Sequence, residues 1–228
     1  GETFAVYFRN FIPFALLTAL VMAPLFIAQG AMQSSAASGN LAAALPSAII
    51  TLIGAIVCPY IATSAITYGV FQQMRRQDTS IVDCLRLGLS SLLPVLGLAL
   101  VQGIVVGLGF LACVIPGILF MVRWAVAIPT AVEERPGIGG ALDRSTYLTD
   151  GYRWEIFQVL FVLGVINLGS AFVVGMTSAI DQTLFQVLSG VQRVMAVGLS
   201  ATAAAVMYYR LRSLKESIDV DQIASVFS

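Results

Sequence analysis

One arginine in this chain stands where a charge is hardest to keep. Arg123 is the only charged residue between Leu87 and Val132, ten residues before Glu133. At the helical rise of 1.5 Å per residue it falls about 15 Å from Glu133, near the middle of a hydrocarbon core about 30 Å thick. Arginine at that depth costs about 2.5–3.5 kcal/mol on insertion scales, so it needs a polar surrounding. Counting equal depths along the other apolar segments puts Asn167 at nearly the same level and Gln102 somewhat deeper. The expected arrangement is Arg123 pointing into a helix bundle. Its expected partners are Asn167, Gln102 or backbone carbonyls freed by Pro59 or Pro129. Such a group either staples the bundle or binds a ligand or lipid headgroup.

A second group follows at once: Glu133, Glu134, Asp143 and Arg144, with Arg153 and Trp154 just beyond. These residue types and spacings suit an ion-pair cluster that docks an amphipathic helix on the inner membrane surface. Exposed pairs of this kind contribute little singly. The other reading is a lipid-headgroup or partner site beside Arg144 and Arg153. Tyr152 and Trp154 read as interfacial anchors.

Other chemistry is thinly represented. Histidine is absent from all 228 residues, which removes the commonest general base and metal ligand. Cys58, Cys84 and Cys113 stand apart, with no CxxC spacing, and are expected as free thiols. No zinc-protease, serine-hydrolase or paired-aspartate motif occurs, and Gly139-Gly140 lacks a Walker or dinucleotide context. The reading is therefore no cofactor, no metal and a lean away from catalysis. Zero net charge argues against a basic nucleic-acid surface.

The elements that must position these residues are membrane spans. Apolar side chains make up 58% of the chain and charged ones 11%, which is no soluble composition. No charge occurs between Arg9 and Arg75, Arg86 and Arg123, or Glu155 and Asp181. A span needs about 20 apolar residues, so these tracts predict an all-α polytopic membrane protein. Six transmembrane helices are expected, over about 10–28, 46–72, 88–112, 116–132, 156–180 and 194–209, forming a single domain over 1–212. Residues 29–45 and 181–192 read as links, and 213–228 as a cytoplasmic amphipathic tail. Pro59 should kink the second span. Gly103 and Gly107 give the third span a small-residue face suited to close helix packing within the bundle.

Amphipathic patterns precede two of the hairpins. Ser80-Ile81-Val82-Asp83 matches a capping box, with Ile81, Leu85 and Leu89 at helical spacing. Ile138, Ala141, Leu142, Ser145 and Leu148 share one helix face, with Asp143, Arg144 and Asp150 largely off it. The segment Glu2–Phe11 compares with Gly151–Phe157, so the architecture reads as three units, each an interfacial helix followed by a hairpin. Arginine and lysine cluster in alternate loops: Arg9; Arg75, Arg76 and Arg86; Arg135, Arg144 and Arg153; Arg210, Arg212 and Lys215. The opposite side has only Arg193, so the positive-inside rule puts both termini in the cytoplasm. The first apolar segment reads as an anchor with no signal-peptide cleavage pattern, and Gly1 in place of methionine suggests a truncated, processed or engineered start.

Pro116-Gly117, Arg123, Pro129, Glu133 or Glu134, Ala141-Leu142-x-Arg144-Ser145, Leu148, Gly151 and Trp154 resemble the membrane-domain family of glycerophosphoryl diester phosphodiesterases. Stand-alone bacterial membrane proteins share that domain. The match runs from Pro116 to Trp154, and the remainder fits in hydropathy and span number. The resemblance implies a bacterial inner-membrane domain and not the phosphodiesterase reaction. In those enzymes catalysis belongs to a separate soluble barrel that uses histidines, acidic residues and a metal. The function expected is a non-catalytic module that scaffolds or associates with membrane lipids or other membrane proteins. The alternatives are a small transporter or channel with a site around Arg123, and an intramembrane lipid-modifying enzyme.

Overall fold

The structure, a computed structural model, describes residues 11–38, 41–74 and 81–226. Among them the chain forms nine helices and no strand: α1 (Phe11–Ala37), α2 (Leu41–Met74), α3 (Ile81–Ser90), α4 (Leu92–Ala112), α5 (Val114–Arg123), α6 (Ala127–Glu133), α7 (Gly137–Thr149), α8 (Arg153–Thr177) and α9 (Gln182–Val226). Six segments are long and apolar enough to cross a membrane: Pro13–Ser35, Leu45–Gln72, Leu92–Ala112, Val114–Glu133, Arg153–Thr177 and Gln182–Glu216. The protein is an all-α polytopic membrane protein. These segments are helical because each must satisfy its own backbone where water cannot.

Three boundaries differ from expectation. The link over 29–45 is helical at both ends, with α1 continuing to Ala37 and α2 starting at Leu41. Ser34 and Ser35 explain the continuation, because both hydroxyls donate back to the Ala31 carbonyl, at 2.9 and 2.8 Å. The link over 181–192 is instead the first turns of α9, capped by Asp181, whose carboxylate accepts from the Thr183 and Leu184 amides at 2.6 and 3.2 Å. That cap fixes the helix start. The tail from residue 213 does not separate from the last span, since α9 runs on without a break to Val226.

The fourth span is two helices. Pro129 has no amide hydrogen and frees the Ala125 carbonyl, and the ladder fails just ahead of it. Residues 124–126 form a turn, in which the Ala125 and Ala127 amides reach back only three residues, to Val122 and Trp124, at 3.4 and 3.1 Å. Helices α4 and α5 pack closely around Gly109 and Gly117. A Cβ on Gly109 would lie 3.0 Å from the Gly117 backbone, and one on Gly117 would meet the Phe110 ring at 2.5 Å. The face expected to pack, at Gly103 and Gly107, has nothing within 4 Å of an added Cβ. Close approach falls one turn later than the sequence pattern suggested.

The core gathers at the end of the bundle where the chain reverses into the short helices. Phe14 and Leu17 of α1, Ile66 and Val70 of α2, Cys84 of α3, Val122 of α5, Leu148 of α7 and Ala205 and Tyr208 of α9 form its main cluster. Helix α3 folds back along α2, bringing Gly88 against Ala65 and the Ile61 carbonyl. Helix α7 folds back along α6 through a turn with Arg135 and Gly137 at positive φ, 50° and 82°. Each short helix then leads into a hairpin, α4–α5 and α8–α9, which gives two of the three expected units. The third, with Glu2–Asn10, lies outside the described residues, as do Arg9, Arg75, Arg76 and Ser80. The three cysteines are free; Cys58 and Cys84 are buried and Cys113 is exposed.

Candidate functional site

The break in span four and the charged end of the bundle meet on α7. Its buried face carries Ala141, Ser145, Leu148 and Thr149, spaced four, three and one apart as an amphipathic helix requires. That face lies against the break. Ser145 Oγ donates to the Arg123 carbonyl at 2.9 Å, and Thr149 Oγ1 donates to the same oxygen at 3.2 Å. From α4, Gln102 Nε2 donates to the next carbonyl, that of Trp124, at 3.2 Å. The Ala127 amide, which an unbroken helix would aim at Arg123, is taken by Trp124. Three side chains from two helices therefore replace bonds that the interrupted ladder gives up.

This changes the role expected of Arg123. It is the last residue of α5, and its carbonyl rather than its guanidinium is what neighbouring helices grasp. The two partners expected for the side chain bond elsewhere. Gln102 reaches the Trp124 carbonyl, and Asn167 Nδ2 donates to the Leu163 carbonyl of its own helix at 3.0 Å. Arg123 Nε is buried with no hydrogen-bond partner among the described residues.

At the charged end, a closed ring of side chains joins α6, α7 and α9. Arg144 Nε donates to both oxygens of Glu134, at 3.2 and 3.1 Å, and Arg144 Nη2 donates to Glu216 Oε1 at 3.0 Å. Arg212 Nε donates to the same Glu216 oxygen at 2.9 Å, and Arg212 Nη1 donates to Tyr208 Oη at 3.3 Å. Tyr208 closes the ring by donating to Glu134 Oε1 at 2.7 Å. Two guanidiniums and two carboxylates balance, so the ring adds no net charge. Tyr208 is 1% exposed and packs on Phe71, with ring centroids 5.4 Å apart. The Arg144 and Lys215 cations sit over Tyr147, at 5.6 and 5.0 Å from its centroid, the geometry of cation–π contacts. Beside the ring, Glu133 lines a cavity of about 310 Å³ with Tyr209 and Ser213.

Of the residues expected in the charged cluster, Glu134 and Arg144 pair directly. Asp143 is exposed. Arg153 bonds Asp150 at 2.7 Å in a separate exposed pair, and Trp154, 67% exposed, stacks on Phe157. Tyr208, Arg212 and Glu216 are the members that the sequence reading missed. Their spacing of four was a usable signal once the last span is read as continuing past Tyr209. Among the described residues no three histidine, cysteine or acidic side chains gather as a metal cage. Comparisons of the chain with family models, curated proteins and solved structures find no match.

Proposed function

We propose that the protein is a non-catalytic module of the bacterial inner membrane that organises lipids or other membrane proteins. Both termini and the Arg135–Arg153 connector would then face the cytoplasm. The observation that carries this reading is α8. It buries only Ile156 and Leu163, while Phe161, Leu168, Phe172, Val173 and Met176 are each at least 60% exposed. A span so little used by its own bundle is stable only against lipid or another membrane protein. The distribution of arginine and lysine supports the orientation, and the resemblance of Pro116–Trp154 to a bacterial membrane domain supports the compartment.

One observation favours a second reading, a small transporter or channel. Broken helices in membranes often mark binding sites, because their free carbonyls and amides coordinate substrate. Here, however, the Arg123 and Trp124 carbonyls are already occupied by Ser145, Thr149 and Gln102, so the break serves packing first. An intramembrane lipid-modifying enzyme would need Glu133 or Asp143 to converge with Arg123. Asp143 is exposed, and the neighbouring Glu134 bonds Arg144 and Tyr208. Solute flux through proteoliposomes separates the readings. A module gives rates equal to empty vesicles for ions and small polar solutes. Saturable flux that Arg123→Leu abolishes, in protein that still folds, would sink the module reading.

A further inference from the structure

The continuation of α9 back to Gln182 brings a second arginine into a span. Arg193 lies eleven residues inside the segment Gln182–Glu216, about 16 Å along the helix from its start. Among the described residues it joins no ion pair. A cation within a span is costly and normally faces a cavity or a partner. Arg193 borders two spaces at once. One is a groove of about 880 Å³ between α1 and α9, walled by apolar side chains such as Leu16, Phe26, Val191 and Met195. The other is a cavity of about 270 Å³ that it shares with Ala55, Pro59 and Gln192. Pro59 leaves the Ala55 carbonyl without a helical donor.

The groove has a polar end. Gln33 of α1 and Gln186 of α9 hydrogen-bond across it. Thr51 Oγ1, on its wall, is buried without a hydrogen-bond partner among the described residues. Helical side chains lean toward the helix N-terminus, which for Arg193 is the Gln182 end, the side from which an anionic headgroup would meet it. Below it the wall is apolar. The volume lies in the upper part of the range for single-ligand sites, about 300–1,000 Å³. A groove between two spans opens onto hydrocarbon, and its occupant must be an amphiphile with a long apolar part and an anionic head.

We infer that this groove binds an anionic phospholipid, with acyl chain along α1 and α9 and phosphate at Arg193. The inference rests on the lipid-associating reading and gives it a site. Gln33 and Gln186 close the end of the groove.

The test is native mass spectrometry of the full chain from mixed micelles holding equal phosphatidylglycerol and phosphatidylcholine. The wild type is expected to retain phosphatidylglycerol about fivefold in preference, the effect of one basic residue at an anionic headgroup. Arg193→Gln should erase the preference, Arg193→Lys should keep it, and Arg86→Gln, exposed and outside the groove, should leave it unchanged. Gly30 lines the groove with nothing within 4 Å of an added Cβ, so Gly30→Leu fills it without backbone collision and should lower the retained lipid by one molecule. No preference in the wild type, an unchanged preference in Arg193→Gln, or an equal loss in Arg86→Gln overturns the site. Retained lipid or protein that neither groove variant alters leaves the module reading standing and removes only the groove. A chain that retains neither lipid nor protein removes both.

Discussion

Removing the two hydroxyls that hold the Arg123 carbonyl should cost more together than separately. Ser145 and Thr149 are both 0% exposed, and both donate to one oxygen that has lost its helical donor. With either present, the carbonyl keeps a partner. Ser145→Ala then costs about 1 kcal/mol, the ordinary net worth of a hydrogen bond. Thr149→Val costs about the same, because its hydroxyl, 3.2 Å from both the Arg123 and the Thr146 carbonyls, is lost whole. With both gone, a buried carbonyl is orphaned at a further cost of about 1–3 kcal/mol. The double variant should therefore lose about 3–5 kcal/mol, with a coupling of at least about 1 kcal/mol. Reversible unfolding in mixed micelles titrated with a denaturing detergent measures this. In a Trp154→Phe background the remaining tryptophan, Trp124, reports from the break itself. Ser178→Ala, whose exposed hydroxyl donates to the Gly175 carbonyl one turn back, is the control at under about 0.5 kcal/mol. A double-variant cost within about 0.3 kcal/mol of the sum of the singles would refute the shared-carbonyl reasoning, since independent sites add to that tolerance.

Other outcomes follow from the same geometry. Glu134→Ala leaves the buried Tyr208 hydroxyl without its acceptor and the Arg144 Nε–H without the carboxylate that shares it. It should destabilise by about 2–3 kcal/mol in the same assay, whereas Arg153→Ala, in an exposed pair, should change stability by under about 0.5 kcal/mol. Gly109→Ala forces α4 off α5 and should cost about 1–3 kcal/mol, while Gly103→Ala, with open space around it, should be neutral or stabilising. The Leu184 and Thr183 amides hold the Asp181 carboxyl below its ordinary range. Its contribution is then fully present above the unfolded value near pH 4 and lost as pH falls through the lower folded value. The hydrogen-exchange protection factor in the first turn of α9 should fall below pH 4 in the wild type and lose that pH dependence in Asp181→Asn.

The spans were legible because long charge-free runs leave no other solution, and their number needed nothing beyond hydropathy. Their ends were not. Ser34, Ser35 and Ser189 look like loop residues by composition, yet each hydroxyl bonds a carbonyl three or four residues back, so polar stretches continue as helix. At Ser189 that effect hid the depth of Arg193. Within the charged cluster, Glu134 and Arg144 were readable because they are local, ten residues apart. Tyr208 and Glu216 come from more than 60 residues away and depend on how α9 crosses the bundle. Arg123 was singled out for its charge, whereas its backbone makes the contacts. No hydropathy count anticipates a carbonyl that loses its donor because the Ala127 amide turns to Trp124.

The most direct test of the central claim is the mass of the protein released intact from the membrane in a mild detergent. The module reading predicts particles heavier than the 24.2 kDa chain by discrete masses of retained lipid or of another membrane protein. A bare chain at that mass under the gentlest conditions that keep it folded would contradict it.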